Sequence, residues 1–134
     1  MAVYARNFIR VSLISLLLGF ALGLEMIIHP AAVVYRPIHV HLLLLGFMSN
    51  MVFGVGYHII PRFQGHVRIP DLWANLHLHL AVWGLIAMIV GWVARLKMAG
   101  SPLRHLLLVG GIAEMVGVLL FLVIMFRGLV PHKS

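Results

Sequence analysis

The chain alternates between long apolar runs and short polar breaks, and the pattern predicts four helices. The runs cover about residues 8–28, 38–60, 72–94 and 103–126, each of roughly twenty residues, the length that crosses a bilayer. The break after the first run is short: Pro30 stops it and the connector Ala31 to Pro37 leads into the second, so the first two helices are expected to be antiparallel neighbours. Pro61 is expected to close the second helix, Asp71 to cap the third, and the Gly-Ser-Pro sequence at 100–102 to start the fourth. Small residues recur at helical spacing within the runs. Ser12, Ser15, Gly19 and Gly23 form one such stripe, and His77, Gly84, Met88 and Gly91 form another; both suit close helix packing. On an α-helix His39, Gly46, Asn50 and Tyr57 fall on one stripe with Gly54 beside it, which predicts a flat groove able to take a planar ring. The expected fold is an all-α integral membrane four-helix bundle, with residues 1–134 as a single transmembrane domain.

Composition agrees. Only 10% of the 134 residues are charged, against roughly 25% in soluble domains. The net charge of +7 does not point to nucleic acid, because the basic residues sit at the ends of apolar runs, where lipid headgroups and topology account for them. Six of them, Arg6, Arg10, Arg62, Arg68, Arg127 and Lys133, flank one side; four, Arg36, Arg95, Lys97 and Arg104, flank the other. The positive-inside rule then puts both termini in the cytoplasm and the protein in the plasma (inner) membrane. The first apolar run is long and no small-residue cleavage site follows it, unlike a cleavable signal. With no cysteine, disulfides, thiolate metal sites and iron–sulfur clusters are excluded.

Nine histidines change the picture, since a histidine in lipid needs a partner and marks a functional site. His29, His39, His41 and His105 lie toward the outer side; His58, His66, His77, His79 and His132 lie toward the inner side. At about 100° per residue, His39 and His41 point to nearly opposite faces of the second helix, so one helix can serve two sites. The outer set is built on His39 and His41. The inner set joins His58 to His77 or His79 across a short loop and holds a second haem, or a metal such as copper or iron. Imidazole suits iron, copper, zinc and nickel, and haem is favoured because carboxylates are few, glycine stripes accept a macrocycle, and Arg36 and Arg62 flank the histidine levels, where propionates want cations. Glu114, mid-span, is a candidate ligand-orienting group or proton path, with Asn50 and Tyr57 beside it in role. Glu25 is expected to pair with Arg36 or His29.

The run His39-Val-His41-Leu-Leu-Leu-Leu-Gly46-Phe47, followed by Phe53-Gly54-Val-Gly56-Tyr57-His58-Ile-Ile-Pro61-Arg62-Phe63, resembles the catalytic subunit of haem–copper oxidases, nearest to the cbb3-type and its nitric oxide reductase relatives. The resemblance covers about the first two-thirds of the chain. It implies a helix entering from the outer side with a His-x-His whose two members serve different haems. It also implies that four helices are one arc of a twelve-helix ring, so that three copies would rebuild the ring. The family's His-Pro-Glu-Val-Tyr run and its His-His copper pair are absent from this sequence. The expectation is therefore a haem b-binding membrane cytochrome that transfers electrons as a homo-oligomer, a trimer being favoured, with a redox partner such as cytochrome c or a quinol. An oxygen- or nitric-oxide-reducing haem enzyme with an open site is the first alternative; a non-catalytic haem or metal sensor or carrier is the second.

Overall fold

A computed structural model of the chain describes residues 1–64 and 68–129; His66, His132 and Lys133 lie outside them. All the described elements are helical, and four helices are long and apolar enough to cross a membrane: Val3–Ile28, Pro30–Phe63, Asp71–Lys97 and Pro102–Arg127. They are referred to below as the first to fourth spans.

The first span ends before Pro30 as expected but begins earlier, at Val3, and Pro61 does not stop the second. The first helix ends at Ile28, His29 is extended (φ −120°), and the chain turns back at once into a 3₁₀ segment, Pro30–Tyr35. Proline suits that first turn, where its missing N–H has no partner to lose. Pro61 sits inside the helix Asn50–Gln64 rather than ending it; in a last turn it removes one hydrogen bond and the helix overruns it. Asp71 is the first helical residue of the third span, not its cap, and Pro70 precedes it. Before the fourth span the expected start holds: Ser101 Oγ accepts from the Leu103 N–H at 3.3 Å, and Gly100 turns the chain with a positive φ of 86°.

Inside the second span the helix changes pitch. An α-helical stretch, Arg36–His41, is followed by a π-helix, Leu42–Ser49, and then by α-helix again. Side chains stabilise the wide turns: Ser49 Oγ donates to Leu44 O at 3.0 Å, and Asn50 Nδ2 donates to Leu45 O and Gly46 O, both at 3.1 Å. A π-turn holds more residues than an α-turn, yet His39, Gly46 and Tyr57 still face one neighbour, the first helix, with Tyr57 against Tyr4 and Phe8. His39 lies against Gly19 and Gly23, Gly46 against Ser15 and Leu85, and Gly54 against Ala5 and Phe8. The flat groove expected there is filled by the first helix.

Small residues bring the spans together in pairs. The Ser15–Gly46 and Gly54–Ala5 approaches join the first span to the second, and Gly84–Gly110 and Gly91–Leu107 join the third to the fourth. The two pairs meet in a core of Phe8, Phe53, Tyr57, Ala74, Leu78, Ala81 and Met125, confined to the half of the bundle that holds the N-terminus. The outward faces carry large exposed apolar side chains such as Leu17, Phe20 and Ile27, compatible with contact with lipid, where an apolar surface costs nothing.

Candidate functional site

His39 stands three residues into the α-helical stretch that opens the second span. Its Nδ1 lies 2.8 Å from the Gly19 carbonyl oxygen of the first span. A carbonyl only accepts, so Nδ1 carries the proton and donates, and the lone pair is left on Nε2. This is the arrangement a metal-ligating histidine adopts: the bond to the carbonyl fixes the tautomer and the ring orientation and makes the other nitrogen more basic. The imidazole fits here only because of Gly23, where a Cβ would come within 2.9 Å of His39 Cε1 and 3.3 Å of Nδ1.

The same histidine lines an open groove of about 870 Å³ on the outward side of the first and second spans, flanked by the exposed Leu17, Phe20, Leu24, Ile27 and Val33 and by Leu43. That volume is in the range of roughly 300–1,000 Å³ typical of cofactor sites. Its two polar side chains are His39 and Arg36, so the structure brings together two residues singled out by the sequence. The His39 imidazole could hold a metal, the Arg36 guanidinium could offset a carboxylate, and the apolar side chains could take a flat hydrophobic group.

His41 diverges from His39. Its Nδ1 donates to the Pro37 carbonyl one turn earlier, at 2.6 Å, so its lone pair is also on Nε2. Its ring faces the third span, with Trp92 6.4 Å away between ring centres. Trp92 Nε1 is buried with no hydrogen-bond partner among the described residues. Neither His29 nor His105 joins it: His29 pairs with Glu25 at 2.8 Å, as one of the two expectations for Glu25 had it, and His105 lines a separate cavity with Arg95 and Arg104.

Of the inner histidines, His58, His77 and His79 lie among the described residues. Among the described residues no three histidine or acidic side chains form a group able to hold a metal. His77 is fully buried, and its Nδ1 shares a hydrogen bond of 2.9 Å with the Tyr57 hydroxyl. The ring is enclosed by Phe8, Phe53 and Phe121, with centres 4.5–5.7 Å away, and its Nε2 has no partner among the described residues. His79, two residues on, falls on the opposite side of the helix and is exposed, while His58 is half-buried. Arg62 is exposed near the inner end of the second span. Glu114 is buried where the fourth span meets the third, its Cγ 3.2 Å from the position of a Cβ on Gly84. Asn50 closes the π-turns through Nδ2, and its Oδ1 is buried without a partner.

Gly19 and Gly23 escaped the sequence reading as part of a site. The signal was available: in an antiparallel pair of spans, small residues near the end of the first lie level with the start of the second. Comparison with models of known protein families, with curated proteins and with solved structures gives no match.

Proposed function

We propose that this chain is a membrane-embedded b-type cytochrome that transfers electrons and works as a homo-oligomer, with three copies favoured. The observation that carries this is His39: a ring with its lone pair on Nε2, held by the Gly19 carbonyl, in an apolar groove that also contains Arg36. The chain's own part is to present Nε2 in a fixed orientation, to offset a carboxylate with Arg36, and to keep water from the metal with the leucine and phenylalanine wall. His39 faces the first span and His41 the third, so one chain cannot offer both to one iron. In the proposed assembly the second ligand is His41 of a neighbouring copy. A haem held by two histidines would supply a one-electron couple and would not bind a gas. Three copies give twelve helices, the number the resembled family uses. A cytochrome c or a quinol is the proposed partner.

The seat of His39 gives a test independent of the ligand itself. Gly23→Ala puts a methyl group into the imidazole and is expected to lower haem occupancy by about tenfold, the effect typical of disturbing the outer shell of a metal ligand. The haemochrome content per chain measures it, and unchanged occupancy would remove His39 from the site.

The six-to-four balance of basic residues supports cytoplasmic termini in the plasma membrane. The absence of native cysteine makes labelling clean: in intact cells Ala99→Cys should react with an impermeant maleimide and Ala2→Cys should not. The reverse pattern would invert the orientation, and labelling of both would break the four-span topology.

A further inference from the structure

At the other end of the third span, where it turns into the fourth, a second cavity of about 400 Å³ is lined by Arg95, Arg104, His105, Met98 and Leu107. Two guanidinium groups share it, and no carboxylate answers them. The chain has three acids. Glu25 pairs with His29, which is the ion pair found among the described residues. Asp71 begins the third span, at the end opposite Arg95. Glu114 is buried further along the fourth span against Gly84. Arg95 is also held in place, with its guanidinium carbon 5.5 Å from the centre of the Trp92 ring; stacking of this kind leaves the edge donors of the plane available to an anion. Met98 and Leu107 give the same cavity an apolar side, at the level where a span leaves the bilayer.

We propose that this cavity is a binding site for a phosphate group, clamped between Arg95 and Arg104 with His105 beside them. Arginine pairs present fork-shaped donors that match phosphate oxygens, whether of a lipid headgroup or of free phosphate. The phosphate can come from two sources, an anionic phospholipid whose acyl part lies along Met98 and Leu107, or free phosphate from the aqueous side. The site is separate from the His39 groove and does not depend on haem.

The test uses the full chain reconstituted in nanodiscs of phosphatidylcholine with a minor share of phosphatidylglycerol, then transferred to detergent and weighed by native mass spectrometry. One phosphatidylglycerol per chain should be retained, and the Arg95→Gln/Arg104→Gln variant should retain about tenfold less, as expected for lost charge-assisted hydrogen bonds. Arg6→Gln/Arg10→Gln, at the other end of the bundle, should retain it in full. If the double variant does not fold, each single glutamine variant should show a smaller loss in the same direction. Release of the lipid by millimolar inorganic phosphate, or phosphate bound in its place, identifies the aqueous source. Equal retention by the wild type and the Arg95/Arg104 variants, or an equal loss in the Arg6/Arg10 control, overturns the proposal.

Discussion

His39→Ala is expected to abolish the haem spectrum of the protein outright while leaving its helical content and its elution volume unchanged. The ring is half-buried and its one hydrogen bond within the chain is to the Gly19 carbonyl. Removing it frees one acceptor but opens no hole in the packed core, which lies in the other half of the bundle. The loss would therefore report ligation rather than unfolding. His29→Ala, at an exposed ring paired with Glu25, should leave the spectrum intact. In the proposed assembly His41→Ala abolishes the same haem, since each iron takes His39 from one copy and His41 from the next. Co-expression of the two single variants is then expected to restore about one site in four, because each interface needs one chain of each kind in the right order around a ring. A haem-loaded monomer, or a spectrum untouched by either substitution, would refute the shared site.

The largest effect expected on stability comes from neighbouring glycines on the fourth span. A Cβ on Gly110 would lie 2.5 Å from the Gly84 carbonyl oxygen and 2.9 Å from the Met88 nitrogen. Both are backbone atoms, so the third and fourth spans can accept the methyl only by moving apart. Gly110→Ala should destabilise the protein by about 1–3 kcal/mol, the usual cost of overpacking. Gly111 has nothing within 4 Å of its Cβ position. Gly111→Ala should be neutral, or stabilising by up to about 1 kcal/mol through helix propensity. The midpoint of unfolding in mixed micelles measures both, and equal midpoints for the two variants would mean that the Gly84–Gly110 approach does not hold these spans together.

The two glycines also show what kind of information the sequence carried. Four spans were legible because twenty apolar residues in a row admit few other structures. Pro30 marked the end of the first helix, but Pro61 did not mark that of the second, because proline breaks a helix only where an N–H was needed and Pro61 occupies a last turn. The divergence of His39 and His41 was legible because both precede the change of pitch at Leu42 and obey the α-helical angle. The stripe running on to Gly46 and Tyr57 was legible too, but not that the first helix fills it, with Ser15 at Gly46 and Tyr4 and Phe8 at Tyr57. Arg36 was picked out for its level and does line the groove with His39, whereas the carbonyl that sets the tautomer of His39 belongs to another helix and becomes visible only once the first two spans are paired. His77, expected among cofactor ligands, is sealed among phenylalanines with Tyr57; its stripe with Gly84, Met88 and Gly91 already put it on the packing face, and His79 off it.

The most direct test of the cytochrome proposal is the optical spectrum of the purified wild-type protein, reduced with dithionite, recorded with and without carbon monoxide and followed by a pyridine haemochrome assay. The expected result is haem b, about one per chain, with sharp α and β bands that carbon monoxide leaves in place, as follows when two histidines hold the iron. A protein free of haem after expression with ample haem supply would contradict the account, and a carbon monoxide shift would contradict ligation by two histidines and favour an open, gas-reducing site.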